Sequence, residues 1–246
     1  MTGRPGDQTR TDTLPDLDET VYATTRYLQA LTGLDDESVR RASVLPGWTR
    51  AHVVTHLARN ADAIAHALRG ARSGADAWMY ASQESRDADV EAGAHRSAAD
   101  LRADAAASWR RLREALDDLD AAHLDAPVSR VPGQPAFPAR DLVGMRRTEV
   151  EVHHADLDLG YTPADWPVGF CTALVERRQD ELAELPGGGP SMMLCATDVD
   201  RSWRLGEGQG PEVHGTAGEL AWWLVGRGGR GLTCSAGQLP TIGRWR

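Results

Sequence analysis

Lysine is missing from this chain: all 27 basic residues are arginine. That excludes Schiff-base catalysis, a lysine general base and a phosphate-loop lysine. Cysteine is scarce. Cys171, Cys195 and Cys234 are odd in number and isolated in sequence, which supports neither a disulfide framework nor a thiolate zinc site. They read as buried thiols in a reducing cytoplasm. Long apolar runs are absent, and the most apolar window, Leu220 to Val225, falls far short of the roughly 20 helical residues a bilayer requires. No membrane partner is expected. Positive charge is also in deficit, with a formal net charge of -9. A phosphate-tracking surface concentrates basic residues to displace counterions, so no nucleic-acid partner is expected either. The start, Met1 to Asp16, lacks an apolar core and reads as a frayed tail, not a signal peptide or anchor.

What remains is ample for folding. With 246 residues and 41% hydrophobic content, the chain can bury two modest cores. Residues 16–31 alternate apolar and polar positions at helical spacing, and residues 35–42 could add a short turn. After the break at Leu45-Pro46-Gly47, Thr49 is an N-cap candidate for a helix to about Arg72, with Val53, Leu57, Ala61, Ile64 and Leu68 on one face. Residues 82–119 are Ala-rich and helical, as one long helix or two. A proline-containing loop over 126–138 precedes a helix within 138–160. Four main helices with such connections predict an antiparallel four-helix bundle over residues 14–160. At Tyr161-Thr162-Pro163 the texture changes. A helix over 168–185, a Pro-Gly breaker at 186–190, strands at 191–197, 202–205 and 231–235, and a helix over 215–227 predict a smaller α+β domain over 161–246. The fold class is therefore α+β.

Glu149 and His153 lie one helical turn apart in 138-PARDLVGMRRTEVEVHHADLDLG-160. At about 100° per residue, Leu142, Met145, Glu149, Val152, His153 and Asp156 share an arc of roughly 100°, which would turn two metal-competent side chains toward a core. Burying them without a partner is costly, and a cation is the simplest partner; an exposed pair with a protonated imidazole is the alternative. An open zinc site needs a third ligand from another helix. Among His52, His56 and His66, His56 lies nearest the apolar stripe, although a hydrogen-bonded bundle histidine would sit there equally well. His154 points about 100° away from His153, toward solvent or a second layer of contacts. Asp156 could orient a ligand imidazole or bind an arginine. Arg227 continues the apolar face of Leu220, Trp223 and Leu224, where it would reach an anion or complement the helix dipole.

The runs 46-PGWTRAHVVTHLARNADAIAHALRGA-71, 78-WMYASQESRDADVEAGA-94, 146-RRTEVEVHHADLDLGYTPADWP-167 and 218-GELAWWLVGRG-228 together resemble the mycothiol-dependent maleylpyruvate isomerase family of actinobacteria. They occur in the same order over nearly the whole chain. The first two also resemble the wider DinB-like metal-binding four-helix superfamily. The resemblance implies Zn2+ held by His56, Glu149 and His153 with water in an open position, and Arg227 as an essential residue from a second, sterol-carrier-like domain. It also implies mycothiol as cofactor. A zinc-activated thiolate would add to the cis double bond of maleylpyruvate, permit rotation about the resulting single bond and depart to leave fumarylpyruvate, a step of gentisate-type aromatic catabolism. Trp48, Met79, Tyr80, Gln83 and Arg86 are expected near the cleft. The expected protein is a monomeric cytoplasmic enzyme whose partners are a small-molecule substrate and a thiol. Three other readings share some of these features: a mycothiol S-transferase, a metal-dependent hydrolase, and a non-enzymatic zinc-stabilised module.

Overall fold

The computed structural model describes residues 14, 16–185, 189–242 and 245. Apart from Leu14 and Asp16, the tail read for the start lies outside the described residues, as does the 186–188 part of the Pro-Gly breaker. The fold is α+β and divides into two compact units, Met1–Leu159 and Gly160–Arg246. Among the described residues no helix is long and apolar enough to cross a membrane.

The first unit is helical: α1 Leu17–Ala30, α2 Asp36–Arg40, α3 Arg50–Ser73, α4 Gln83–Gly93, α5 Ala98–Asp117 and α6 Asp141–Asp156. Helix α3 packs chiefly on α5 and α1 chiefly on α6, while α3 also meets α6 and α1 meets α5. These four long helices form the bundle. The stretch 82–119 is two helices. Gly93, at the end of α4, lies so close to α3 that an added Cβ would meet Thr55 Cγ2 at 2.4 Å. Ser97 then starts α5 by accepting from the Asp100 amide. The loop 126–138 contains a two-residue antiparallel pair, β1 Pro127–Val128 with β2 Phe137–Pro138, which the sequence pattern did not indicate.

The bundle core is broken in the middle. One buried cluster contains Ala61, Ile64, Leu68, Leu112, Leu116 and Leu142; another contains Tyr27, Val53, Leu57, Leu101, Val150 and Leu157. Between them lie buried polar side chains from all four helices, including Thr24, Asn60, Ser108 and Arg146. Buried polar groups need partners, and Arg146 Nη1 donates to Leu57 O and Asn60 Oδ1, both at 2.8 Å. That contact fixes α6 against α3 near the functional side chains.

The second unit holds α7 Val168–Ala183, α8 Ala217–Leu224 and a four-stranded sheet. Its strands are β3 Met192–Ala196, β4 Ser202–Leu205, β5 Glu212–Gly215 and β6 Thr233–Cys234, in the order β4-β3-β5-β6. Strands β3 and β5 are parallel, and the outer pairs are antiparallel. Strand β5 escaped the sequence reading because it is four residues long with one large buried apolar side chain, Val213. Helix α8 begins at a capping box in which Thr216 and Glu219 satisfy each other's backbone amides, and it ends three residues before Arg227. Arg178 Nε donates to Leu224 O at 3.0 Å and satisfies a terminal carbonyl. Cys171 is buried, whereas Cys195 and Cys234 are only partly so. The expectation of three buried thiols therefore holds for one.

Candidate metal centre

Three histidines on α3 have three different surroundings. His52 closes the start of the helix: the Thr49 amide donates to its Nδ1 at 3.2 Å, and its Nε2 lies 3.2 Å from Glu91 Oε2. His66, nearly three turns beyond His56, has its ring 6.1 Å from that of Trp78 and lines a cavity of about 300 Å3 with Arg59, Asp62, Met79 and Tyr80. His56 alone faces α6. Its Nε2 lies 2.9 Å from Glu149 Oε2, and the same oxygen lies 3.4 Å from His153 Nε2. The His56 and His153 rings meet edge to face at 4.5 Å. One ligand atom from each of His56, Glu149 and His153 lies within 4.8 Å of the other two.

Burial resists charge here, and hydrogen bonds decide where it resides. Burial alone would raise the Glu149 pKa, but bonds from His153 and His56 hold it well below the usual carboxylate value. His56 is pushed down to about 4 by burial and by the neighbouring His153. Burial also lowers His153, yet its bonds to Asp156 and Glu149 win and raise it above the ordinary histidine value. His153 is therefore the imidazole that carries the extra proton. Its Nδ1 donates to Asp156 Oδ2 at 2.8 Å, which aims Nε2 at Glu149. Carboxylates orient metal-bound imidazoles in this way.

Two imidazole nitrogens, a carboxylate oxygen and an orienting carboxylate behind one ring fit a borderline cation such as Zn2+. Access is also present. The Glu149 side chain is 16% exposed, and Met145, one turn earlier, is only partly buried. The helical wheel correctly put Glu149 and His153 on one side, but the C-terminal half of α6 is buried nearly all round and Glu149 lies on its more open face. His154 is also buried, 2% exposed, with its ring edge-on to Tyr27 at 6.0 Å. Its solvent-facing alternative does not hold.

Of the residues expected near the cleft, Trp48 packs its ring 5.6 Å from His56. Arg86 Nη2 donates toward His56 Nδ1 at 3.2 Å, and its guanidinium lies 5.9 Å from the Tyr80 ring. Gln83 instead donates to Asp87 on the exposed side of α4. Asn60 and Arg146 were visible in the sequence only as polar interruptions of apolar stripes, and that interruption was the signal for the buried polar layer. Arg227 belongs to the second unit. It follows α8 instead of continuing it, on a turn bracketed by Gly226 at φ 79° and Gly228 at φ 92°. Its Nη1 donates to Val225 O at 2.6 Å, and its guanidinium lies 5.1 Å from the Trp245 ring.

Fold and site together define a metal-competent four-helix bundle joined in one chain to a small α+β unit. The profile of the mycothiol maleylpyruvate isomerase N-terminal domain matches residues 22–158, and the chain belongs to that family. Among solved structures it is similar to a mycothiol-dependent maleylpyruvate isomerase, with TM-score 0.88 and 27% identity over 95% of this chain and 97% of that one. A histidine-to-alanine variant of that isomerase matches with the same TM-score and coverage at 26% identity. No curated protein sequence matches the chain.

Proposed function

We propose that this protein isomerises maleylpyruvate to fumarylpyruvate with mycothiol as the thiol cofactor, using a cation held by His56, Glu149 and His153. The observation that carries this reading is the His56–Glu149–His153 cluster, set in a chain that resembles a mycothiol-dependent isomerase along nearly its whole length. When bound, Zn2+ lowers the pKa of a coordinating thiol.

The chain's residues define the rest. Glu149 supplies the negative charge, and Asp156 keeps a lone pair of His153 directed at the site. His56 must present Nε2 without its proton, so the proton moves to Nδ1, where Arg86 now donates. Arg86 must then give up that contact, leaving a guanidinium beside the site for an anionic substrate. Arg227, a planar fork suited to carboxylate, is proposed as the second anion contact and as the group that stabilises charge developing on the substrate oxygen. The cysteines give no sign of an activated internal nucleophile: burial and Glu212 raise the Cys195 pKa, the opposite of activation. An external thiol fits this pattern. We also place the enzyme in the cytoplasm as a monomer, which suits its three free cysteines.

An ultraviolet assay of maleylpyruvate isomerisation on Zn2+-loaded protein, with and without mycothiol, tests the reading. Free thiol is measured at the end. Turnover that requires mycothiol and returns it is the expected result. Stoichiometric thiol consumption would instead make the protein an S-transferase, and thiol-independent loss of maleylpyruvate to water-cleaved products, without fumarylpyruvate, would favour a hydrolase.

A further inference from the structure

A second group of metal-competent side chains lies in the other unit. In the parallel pairing of β3 with β5, Cys195 stands opposite His214. Alternation along the strands sends Leu194 and Val213 into the packed face, and leaves Cys195, Glu212 and His214 on the open one. One ligand atom from each of the three lies within 4.8 Å of the other two, and His214 Nε2 is 3.2 Å from Glu212 Oε2. Solvated polar side chains on a sheet face have no need to converge. Here three donors of different chemistry do.

We propose that Cys195, Glu212 and His214 form a second metal site, one that takes a thiophilic divalent cation such as Zn2+. Sulfur, imidazole nitrogen and carboxylate oxygen are the ligand types zinc accepts, and three protein ligands leave a fourth position to solvent. Charge is balanced, because a thiolate and a carboxylate offset a dication while the imidazole stays neutral. Binding forms a metal–sulfur bond and releases the thiol proton to solvent, with no change of oxidation state. The cysteines look unpromising in sequence because each is isolated. Strand pairing brings Cys195 beside residues 17 and 19 positions later, and neither strand alone contains the site. The cation would tie the two central strands of the sheet together, independently of the bundle centre.

Co2+ provides the test, because a thiolate ligand gives a near-ultraviolet charge-transfer band that a two-histidine, one-glutamate site lacks. Full-length protein is stripped by chelator under reducing conditions and titrated with Co2+. Two equivalents are expected, one of them accompanied by the band. Cys195→Ser should lose the band and one equivalent while keeping its circular-dichroism spectrum. His214→Gln should weaken that equivalent at least about tenfold, a range that even outer-contact losses reach. Glu149→Ala should remove the other equivalent and keep the band. Absence of the band in the unaltered protein, or its persistence in folded Cys195→Ser, would overturn the proposal. Because the band comes only from a sulfur ligand, its failure is separable from failure of the isomerase reading.

Discussion

At the scale of single residues, the bundle centre is a problem of proton placement. A cation must displace protons from its ligands. His56, at about 4, is already neutral near pH 7. His153, raised above the ordinary value of 6.5 by Asp156 and Glu149 against the effect of burial, has a proton to lose. Zn2+ affinity should therefore fall as pH drops through the raised pKa of His153, and calorimetry in buffers of different ionisation enthalpy should count a proton released near neutrality. Asp156→Asn removes a contact that raises this pKa, so the acid limb of the affinity profile should move to lower pH. At alkaline pH the same variant should bind roughly 10-fold more weakly, since the imidazole loses its orienting partner. An unmoved acid limb would reject His153 as the titrating ligand. His56→Ala and Glu149→Ala should yield protein without bundle metal by elemental analysis. His154→Ala is the contrast. Its ring packs on Tyr27, so the variant should keep its metal and lose about 2 kcal/mol of stability in denaturant unfolding.

At the scale of elements, the site depends on how α6 docks against α3. Arg146 is buried and its pKa is lowered to about 10 by that burial, yet its Nη1 joins both Leu57 O and Asn60 Oδ1 on α3. His56 and Glu149 flank this contact on their respective helices. Arg146→Leu should cost about 1–3 kcal/mol by leaving the Asn60 oxygen short of a donor, and should weaken Zn2+ binding although Arg146 is not a ligand. Unchanged affinity in a destabilised variant would show that the helices keep their spacing without it. Much at this scale was legible in the sequence. Periodicity located all four bundle helices, and i, i+4 spacing paired Glu149 with His153. What periodicity could not reveal was that the C-terminal half of α6 is buried nearly all round, because burial of its second side depends on α1. It favoured His56 over His52 only by nearness to the apolar stripe, and the capping contact at Thr49 that occupies His52 lay outside it. The short strands β1, β2 and β5 carry too few residues to show a period. The helix read to Arg227 stops early because Gly226 takes a left-handed conformation, φ 79°, and the amides of Gly226 and Arg227 close back on Trp223 O and Trp222 O.

At the scale of the whole molecule, the proposed metal ligands and the proposed anion contact belong to different units of one chain. The two functions should separate under mutation. Arg227→Ala should retain its bundle metal and lose two or more decades of kcat/KM, since one charged contact to a developing oxyanion is worth on the order of 3 kcal/mol. Arg227→Lys restores the charge without the planar fork and should recover only part of the loss; full recovery would reduce the role of Arg227 to charge alone. The turn gives a further handle. Gly226 and Gly228 both have positive φ, a region in which a side chain costs roughly 1–2 kcal/mol. Gly228→Ala should therefore disturb the placement of Arg227 without touching its chemistry, lowering turnover while Zn2+ stoichiometry at the bundle stays at one. If Arg227→Ala turned over normally, catalysis would rest on the bundle alone, and the second unit would need another reason to be carried in the same chain.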